Sequence, residues 1–360
     1  MIYIILLLLL YFSFAFPKSK LIHIFLLTII FALFSLSFDD YDFHNYMAIF
    51  EYVNSEGTSS FEPLFTLFAR IIGSWGLNFI QFRYITTLFF IILFDSFIIK
   101  TSTKPNIILA LYIIFSAMYD APLMRHLLAM CISFWGCYYL MLSGSYTTYI
   151  KPAVLFSIAS LFHGSYWICL FFIPIWYLLT QGKNKLVSLL LIVLLFICIF
   201  GSHILFDVYS NFISKESALE EYNNNNFLNF IGVVYFILKY IVVVSPVLIL
   251  KPCNYSFTDI NNPIRVINYN IVKLNIVFLI VLILQYIAPG YTRLLRILIV
   301  FNYIYIISYP KGRISKKYGL AILYAMTLLL LTALWEMPES IETIIQMHFD
   351  TNLLFSLFKI

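Results

Sequence analysis

A chain of 360 residues that is 62% hydrophobic and only 11% charged carries too little polar side-chain surface for a soluble fold, in which about a quarter of residues are charged. Its apolar runs recur from end to end and approach the roughly 20 residues that a bilayer crossing requires. The net charge of +5 comes mostly from loops between those runs, so it excludes a nucleic-acid binder and predicts an all-α, polytopic membrane bundle. One transmembrane domain spans residues 1–360 in this reading.

The first run, Ile2–Phe16, is followed by Lys18 and Lys20. With no basic stretch before it and no small-residue cleavage site, it reads as a retained span rather than a leader. Leu21–Phe38 then goes outward. Residues 39–78 form an external segment that opens with Asp39, Asp40, Asp42, Glu51 and Glu56 and has no basic residue before Arg70. Within it, Glu62–Leu77 reads as an amphipathic helix on the outer face. If it crossed the bilayer, every basic loop from Lys100 onward would change sides. Phe79–Ile99 returns to Lys100 and Lys104, Asn106–Tyr119 goes out and Leu123–Leu142 comes back.

Pro152–Leu179 lies between Lys151 and Lys183 and is too short for two full crossings. It reads as a hairpin of broken helices with His163-Gly164-Ser165 near its tip. Leu186–Phe206 leads out to an Asn-rich external loop over 207–228, and Asn229–Leu250 returns to an inner segment, Lys251–Lys273. Leu274–Ala288 and Leu294–Tyr309 form an outward hairpin turning at Pro289-Gly290. After Lys311–Lys317, Tyr318–Trp335 leads to an external tail over 336–360. This gives about ten full spans plus the short hairpin.

That arrangement sorts charge by side. The inner connections hold Lys18, Lys20, Lys100, Lys104, Lys151, Lys183, Lys185, Lys251, Arg265, Lys273, Lys311, Arg313, Lys316 and Lys317, while every Asp and Glu except Asp95 and Asp259 lies outside. Basic residues are retained in the cytoplasm during insertion, so the asymmetry fixes the orientation. It also marks the arginines stranded outside: Arg70, Arg83, Arg125, Arg293 and Arg296. Arg125 and His126 open one span, and Arg293 and Arg296, three residues apart, share a face at the start of another.

Each of these arginines reads either as a snorkelling side chain on ordinary phospholipid or as part of a convergent grip on a diphosphate. His163 is either a satisfied core residue or a group placed at the hairpin tip for chemistry. Asp39 and Asp40 are either a solvated boundary or a base for a hydroxyl at the membrane surface. Glu62, before Pro63, is either a helix-start signal or a ligand for sugar hydroxyls. The five cysteines form no disulfide framework or zinc pattern, and no nucleotide-binding motif is present.

DDYDFHNYMAIFEY (Asp39–Tyr52) followed by FEPLF (Phe61–Phe65), MRHLLAMCISFWGCYYL (Met124–Leu140), ASLFHGSYW (Ala159–Trp167) and RLLRILIVFNYIYIISYPK (Arg293–Lys311) occur in that order. Together they resemble the EpsG-like, Wzy-type polysaccharide polymerases. His126 departs from the Gln expected after the Arg of that pattern. The resemblance implies a GT-C-like glycosyltransferase in the bacterial inner membrane with its active site facing outward. Such an enzyme polymerises undecaprenyl-diphosphate-linked repeat units into O-antigen or exopolysaccharide, without a cofactor or metal. Its partners are the lipid-linked oligosaccharide, membrane lipid and a chain-length regulator.

On the same resemblance Asp39 or Asp40 is the base candidate, and Arg125, His163, Arg293 and Arg296 are substrate-binding candidates. The residues themselves add His163 as a second candidate for the base, and His126, Glu62 and Arg70 as further candidates for binding diphosphate or glycan. A flippase for the same lipid-linked unit is the competing class. It calls for a charged central cavity and internal repeats, whereas the charge here gathers at the outer ends of spans. A membrane acyltransferase would place His and Arg on the acyl-donor side, and the inner loops carry no His.

Overall fold

A computed structural model describes residues 2–36, 42–55, 62–117, 120–143, 146–200, 230–250, 262–285, 289–310 and 313–335. Asp39, Asp40, the loop over 207–228 and the tail over 336–360 lie outside the described residues. Among the described residues the chain is helical, with no strand. It groups into two compact units: Met1–Phe134, Leu161–His163 and Ile306–Ile360 form the first, and Trp135–Ser160 and Gly164–Tyr305 the second.

In the first unit, α1 (Ile2–Ala15), α2 (Lys20–Ser35), α3 (Phe43–Ser55), α4 (Pro63–Ser74), α5 (Phe79–Thr101) and α6 (Pro105–Tyr112) follow in chain order. A π-helical turn, Ile113–Ala117, extends α6. Several starts are written in the sequence. Ser19 caps α2 by accepting from the Ile22 amide, and Pro63 and Pro105 open α4 and α6 where a missing N–H costs nothing. Asn78 and Gln81 exchange bonds of 3.0 and 2.9 Å in a capping box at α5. Gly76, at φ +77°, makes the turn between α4 and α5, a conformation that a Cβ would strain.

α2 packs on α5 and α6, and α3 on α4. Phe43, Phe50, Phe65, Phe79 and Phe82 interleave in the core that joins α3, α4 and α5. α3 and α4 come close where Gly73 passes Asn54; a Cβ there would lie 2.0 Å from Asn54 Oδ1. Arg83, almost fully buried, donates through Nε to the Phe34 carbonyl at 2.7 Å. That carbonyl lies in the last turn of α2, the end of a helix that favours a cation. Arg83 therefore ties α2 to α5 and its stranded position has a structural explanation.

A second polar knot joins α2, α5 and α6. The amide nitrogen of Asn106 donates to the carbonyls of Phe16 and Ser19 at 2.9 and 3.0 Å. Its Oδ1 therefore faces His23 Nδ1, 2.9 Å away, and the Nδ1 carries the hydrogen. His23 Nε2 lies 2.7 Å from Asp95 Oδ1. Asp95, out of place in the charge pattern, has this imidazole as its partner.

The second unit takes in the end of α7 (Met124–Leu142), a 3-10 turn at Tyr146–Tyr149, α8 (Ile150–Phe162), a 3-10 segment at Gly164–Phe171 and α9 (Phe172–Thr180). The Tyr149 ring meets Tyr177 and its hydroxyl lies 3.5 Å from Thr180 Oγ1, so α9 runs back alongside α8. This is the broken hairpin read from the sequence, with His163 between its arms. α10 (Asn184–Phe200), α11 (Phe230–Leu250), α12 (Pro263–Val277), α13 (Leu279–Gln285), a 3-10 turn at Pro289–Leu294 and α14 (Leu295–Ser308) complete that unit. α15 (Ile314–Trp335) belongs to the first.

One expectation is corrected here. The inner segment was read as extending to Lys273, but a helix begins at Pro263, capped by Asn262, whose side chain accepts from the Ile264 amide. Arg265 and Lys273 drew that boundary, yet the helix holds three buried asparagines, Asn268, Asn270 and Asn275. Asn270 donates to the Met141 carbonyl at 2.9 Å, and Asn275 pairs with Asn302, which donates to the Val243 carbonyl. Polar side chains act here as glue between helices.

Phe79–Thr101, Pro263–Val281 and Ile314–Leu331 are long and apolar enough to cross a membrane, and shorter apolar helices of 10–17 residues accompany them. α5 leaves Leu88, Phe89, Ile92 and Ile99 exposed, and α10 leaves Leu189, Leu190, Ile192 and Phe196 exposed. Apolar stripes of that kind suit hydrocarbon and not water. The chain is an all-α membrane protein.

Candidate active site

Two helix starts supply the centre of the polar cluster in the first unit. Arg125 and His126 lie in the first turn of α7, which begins at Met124. A cation there opposes the helix dipole, so its place is not explained by helix stability. Its partner is Glu62, at the N-cap position of α4. Glu62 makes no side-chain capping bond to its own helix, and its carboxylate turns to Arg125 instead.

The Arg125 Nη1 to Glu62 Oε2 distance is 2.6 Å. Arg125 Nε donates to the Tyr46 hydroxyl at 3.5 Å, and the guanidinium carbon lies 5.6 Å from the centre of the Tyr46 ring. Glu62 Oε1 lies 3.6 Å from His163 Nδ1. The carboxylate thus bridges a guanidinium and an imidazole. Arg125, Glu62 and His163 remain 25%, 18% and 18% exposed, so the three stay open to a ligand.

Behind them the cluster continues inward. The rings of His163 and His126 meet edge to face with centroids 6.1 Å apart. His126 Nε2 lies 3.4 Å from Asp120 Oδ1, and the Tyr112 hydroxyl donates to Asp120 Oδ2 at 2.8 Å. His126 is 1% exposed and Asp120 0%. A buried carboxylate is costly unless it is paired and hydrogen-bonded; Asp120 accepts from Tyr112 and has the His126 ring beside it. Below lie Met124, Leu128 and the phenylalanine core, with Phe162 beside them.

The sequence candidates therefore separate. Arg125, His126, Glu62 and His163 come together. Arg70 is exposed on α4, whose buried side consists of Phe65, Thr66, Ala69 and Ile72. Arg293, at the end of a 3-10 turn, and Arg296, in the first turn of α14, are half-buried and belong to the second unit. Asp39 and Asp40 lie outside the described residues. Asp120 and Tyr112 were missed as candidates; an acidic residue in an Asp-Ala-Pro turn on the acidic side of the charge pattern looks like an ordinary boundary. Among the described residues, no three His, Cys, Asp or Glu side chains gather as metal ligands.

The profile of the EpsG family matches residues 20–344, nearly the whole chain and every residue of this cluster. The chain belongs to the EpsG family. No curated protein and no solved structure matches it. The EpsG family includes Wzy-like polymerases, so membership gives this membrane protein a polysaccharide-polymerase-like function.

Proposed function

We propose that this EpsG-family protein is a membrane glycosyltransferase that joins undecaprenyl-diphosphate-linked repeat units into O-antigen or exopolysaccharide. It acts at the outer face of the bacterial inner membrane, in a GT-C-like bundle of about ten spans. The observation that carries the reading is the half-open cluster in the first unit, where Arg125 and Glu62 at two helix starts meet His163 at the hairpin tip. It sets a guanidinium beside a carboxylate and an imidazole. Diphosphate binding and proton removal are the two tasks the reaction needs.

In the reaction, a hydroxyl of the incoming unit attacks the anomeric carbon of the growing chain. The new C–O bond forms as the bond to the lipid diphosphate breaks, and the diphosphate leaves with the electron pair. The hydroxyl proton passes to Asp39, Asp40 or His163. Arg125 offsets the charge that builds on the leaving diphosphate, fixed electrostatic support that is usually the largest single contribution to lowering such a barrier, and Arg293 and Arg296 serve as further ligands for diphosphate or glycan. Glu62 orients the Arg125 guanidinium and with Arg70 binds the glycan, His126 supports His163 from beneath, and a chain-length regulator sets when extension stops.

The test is a deletion strain complemented with wild type, Arg125→Ala or Arg293→Ala. Loss of long polymer, with single units displayed on the outer leaflet, supports the proposal. Wild-type polymer length from either variant overturns the role of that arginine. Units trapped on the inner leaflet would make the protein a flippase instead.

A further inference from the structure

Two carboxylate–imidazole pairs stand back to back in the first unit. Glu62 faces His163 at 3.6 Å, Asp120 faces His126 at 3.4 Å, and the two rings meet at 6.1 Å. One pair is half-open and the other is sealed. Among the described residues, the groups that line them include Glu62 at the start of α4, Arg125 on α7, Tyr46 on α3, Asp120 in the turn before α7 and Tyr112 on α6. Of these described groups, two carboxylates against one guanidinium leave a single negative charge, which one imidazole proton cancels. A second proton would set two cations at contact distance in a poorly solvated site.

We propose that the two rings share one proton, and that Asp120, held by Tyr112, keeps it on His126 so that His163 is left neutral as the base for the acceptor hydroxyl. Asp120 and Tyr112 are then positioning residues that act through His126. The assignment rests on the glycosyltransferase reading for its chemistry, but the sharing of the proton does not. With its Nδ1 toward Glu62, neutral His163 keeps its hydrogen on that nitrogen and presents Nε2 as the acceptor, the division of labour that a carboxylate imposes on a catalytic imidazole.

In turnover the hydroxyl proton moves to His163 Nε2 as the sugar oxygen bonds to the anomeric carbon. The electron pair of the broken bond leaves on the diphosphate. The cluster then holds one extra positive charge beside the newly freed anion, and the proton departs to solvent with the product. His126, for which the family pattern led us to expect Gln, is on this view the resident proton holder of the corner.

The experiment uses the full-length protein in lipid nanodiscs and follows two readouts. Histidine side chains are labelled for NMR titration, with His126→Gln and His163→Gln supplying assignments, and chain extension is measured against pH with a lipid-linked repeat unit. In wild type, His126 should hold its proton across the working range and His163 should be neutral. Asp120→Asn should move protonation of His163, and the acid limb of the activity profile, up by about one pH unit, because the cation that repelled its proton is gone. Tyr112→Phe should move both in the same direction by less, and Asp120→Glu should restore the wild-type profile. If Asp120→Asn does not fold, Tyr112→Phe carries the test alone.

His163 titration unchanged in the variants overturns the inference. The same holds if His126 is neutral in wild type. If the titrations move as expected but no lipid-linked unit is extended, the shared proton stands and the glycosyltransferase reading falls.

Discussion

The contact between Glu62 and Arg125 gives the most direct quantitative test. The perturbation is a double-mutant cycle of Glu62→Gln, Arg125→Gln and both together. At 2.6 Å, with the side chains 18% and 25% exposed, the pair lies between a solvated surface bridge, worth about 0–1 kcal/mol, and a sealed one, whose breakage costs about 3–5 kcal/mol. A charge-assisted hydrogen bond of this kind contributes about 1.5–3 kcal/mol. The expected coupling is therefore about 2 kcal/mol, which is roughly 30-fold in rate if both groups serve one transition state. The assay is the initial rate of chain lengthening in nanodiscs, with thermal unfolding in detergent to show that each variant is folded. The two single variants should each lose well over tenfold, and the double variant should be about 30-fold faster than the product of the single losses implies. Losses that simply multiply, within about 0.5 kcal/mol, would refute the idea that Glu62 and Arg125 act as one unit.

The helix contacts give two further tests. Asn106→Ala removes three hydrogen bonds, to His23, Phe16 and Ser19, and should destabilise the first unit by about 2–4 kcal/mol; a thermal midpoint in detergent within a degree of wild type would contradict this. At Gly136 on α7, a Cβ would lie 2.4 Å from the ring of Phe156, which is fully buried and packed against Phe172. Gly136→Ala should therefore cost about 1–3 kcal/mol by overpacking, read by the same unfolding measurement, and Phe156→Leu in the same chain should recover part of it.

Much of this was legible in the sequence because the membrane sorts charge and hydrophobicity so strictly. The rule that keeps basic residues inside brought Arg125 forward without any structure, and Glu62-Pro63 announced a helix start that α4 confirms. A polar tip in a hairpin too short to cross twice brought forward His163. The same rule misled at Asp120, since an acid on the outer side needs no explanation and its burial depends on Tyr112 and His126 from other elements. It brought Arg83 forward in the same way as Arg125, although Arg83 serves the fold by donating to the Phe34 carbonyl at the end of α2. The start of α12 was hidden by the rule itself. Arg265 and Lys273 kept the stretch on the inner side of the charge pattern, while its buried Asn270 bonds to the Met141 carbonyl on another helix, a contact that charge sorting does not register.

The π-helical turn at Ile113–Ala117 stands in the stretch between Tyr112 and Asp120. Loss of one codon there would remove the extra residue that π winding accommodates and let the backbone relax toward ordinary winding, taking out the wide turn in that stretch. Substitutions in this stretch are then tolerable where length changes are not. Across the lineage of this chain, the spacing from the tyrosine to the aspartate should drift in composition while staying fixed in number.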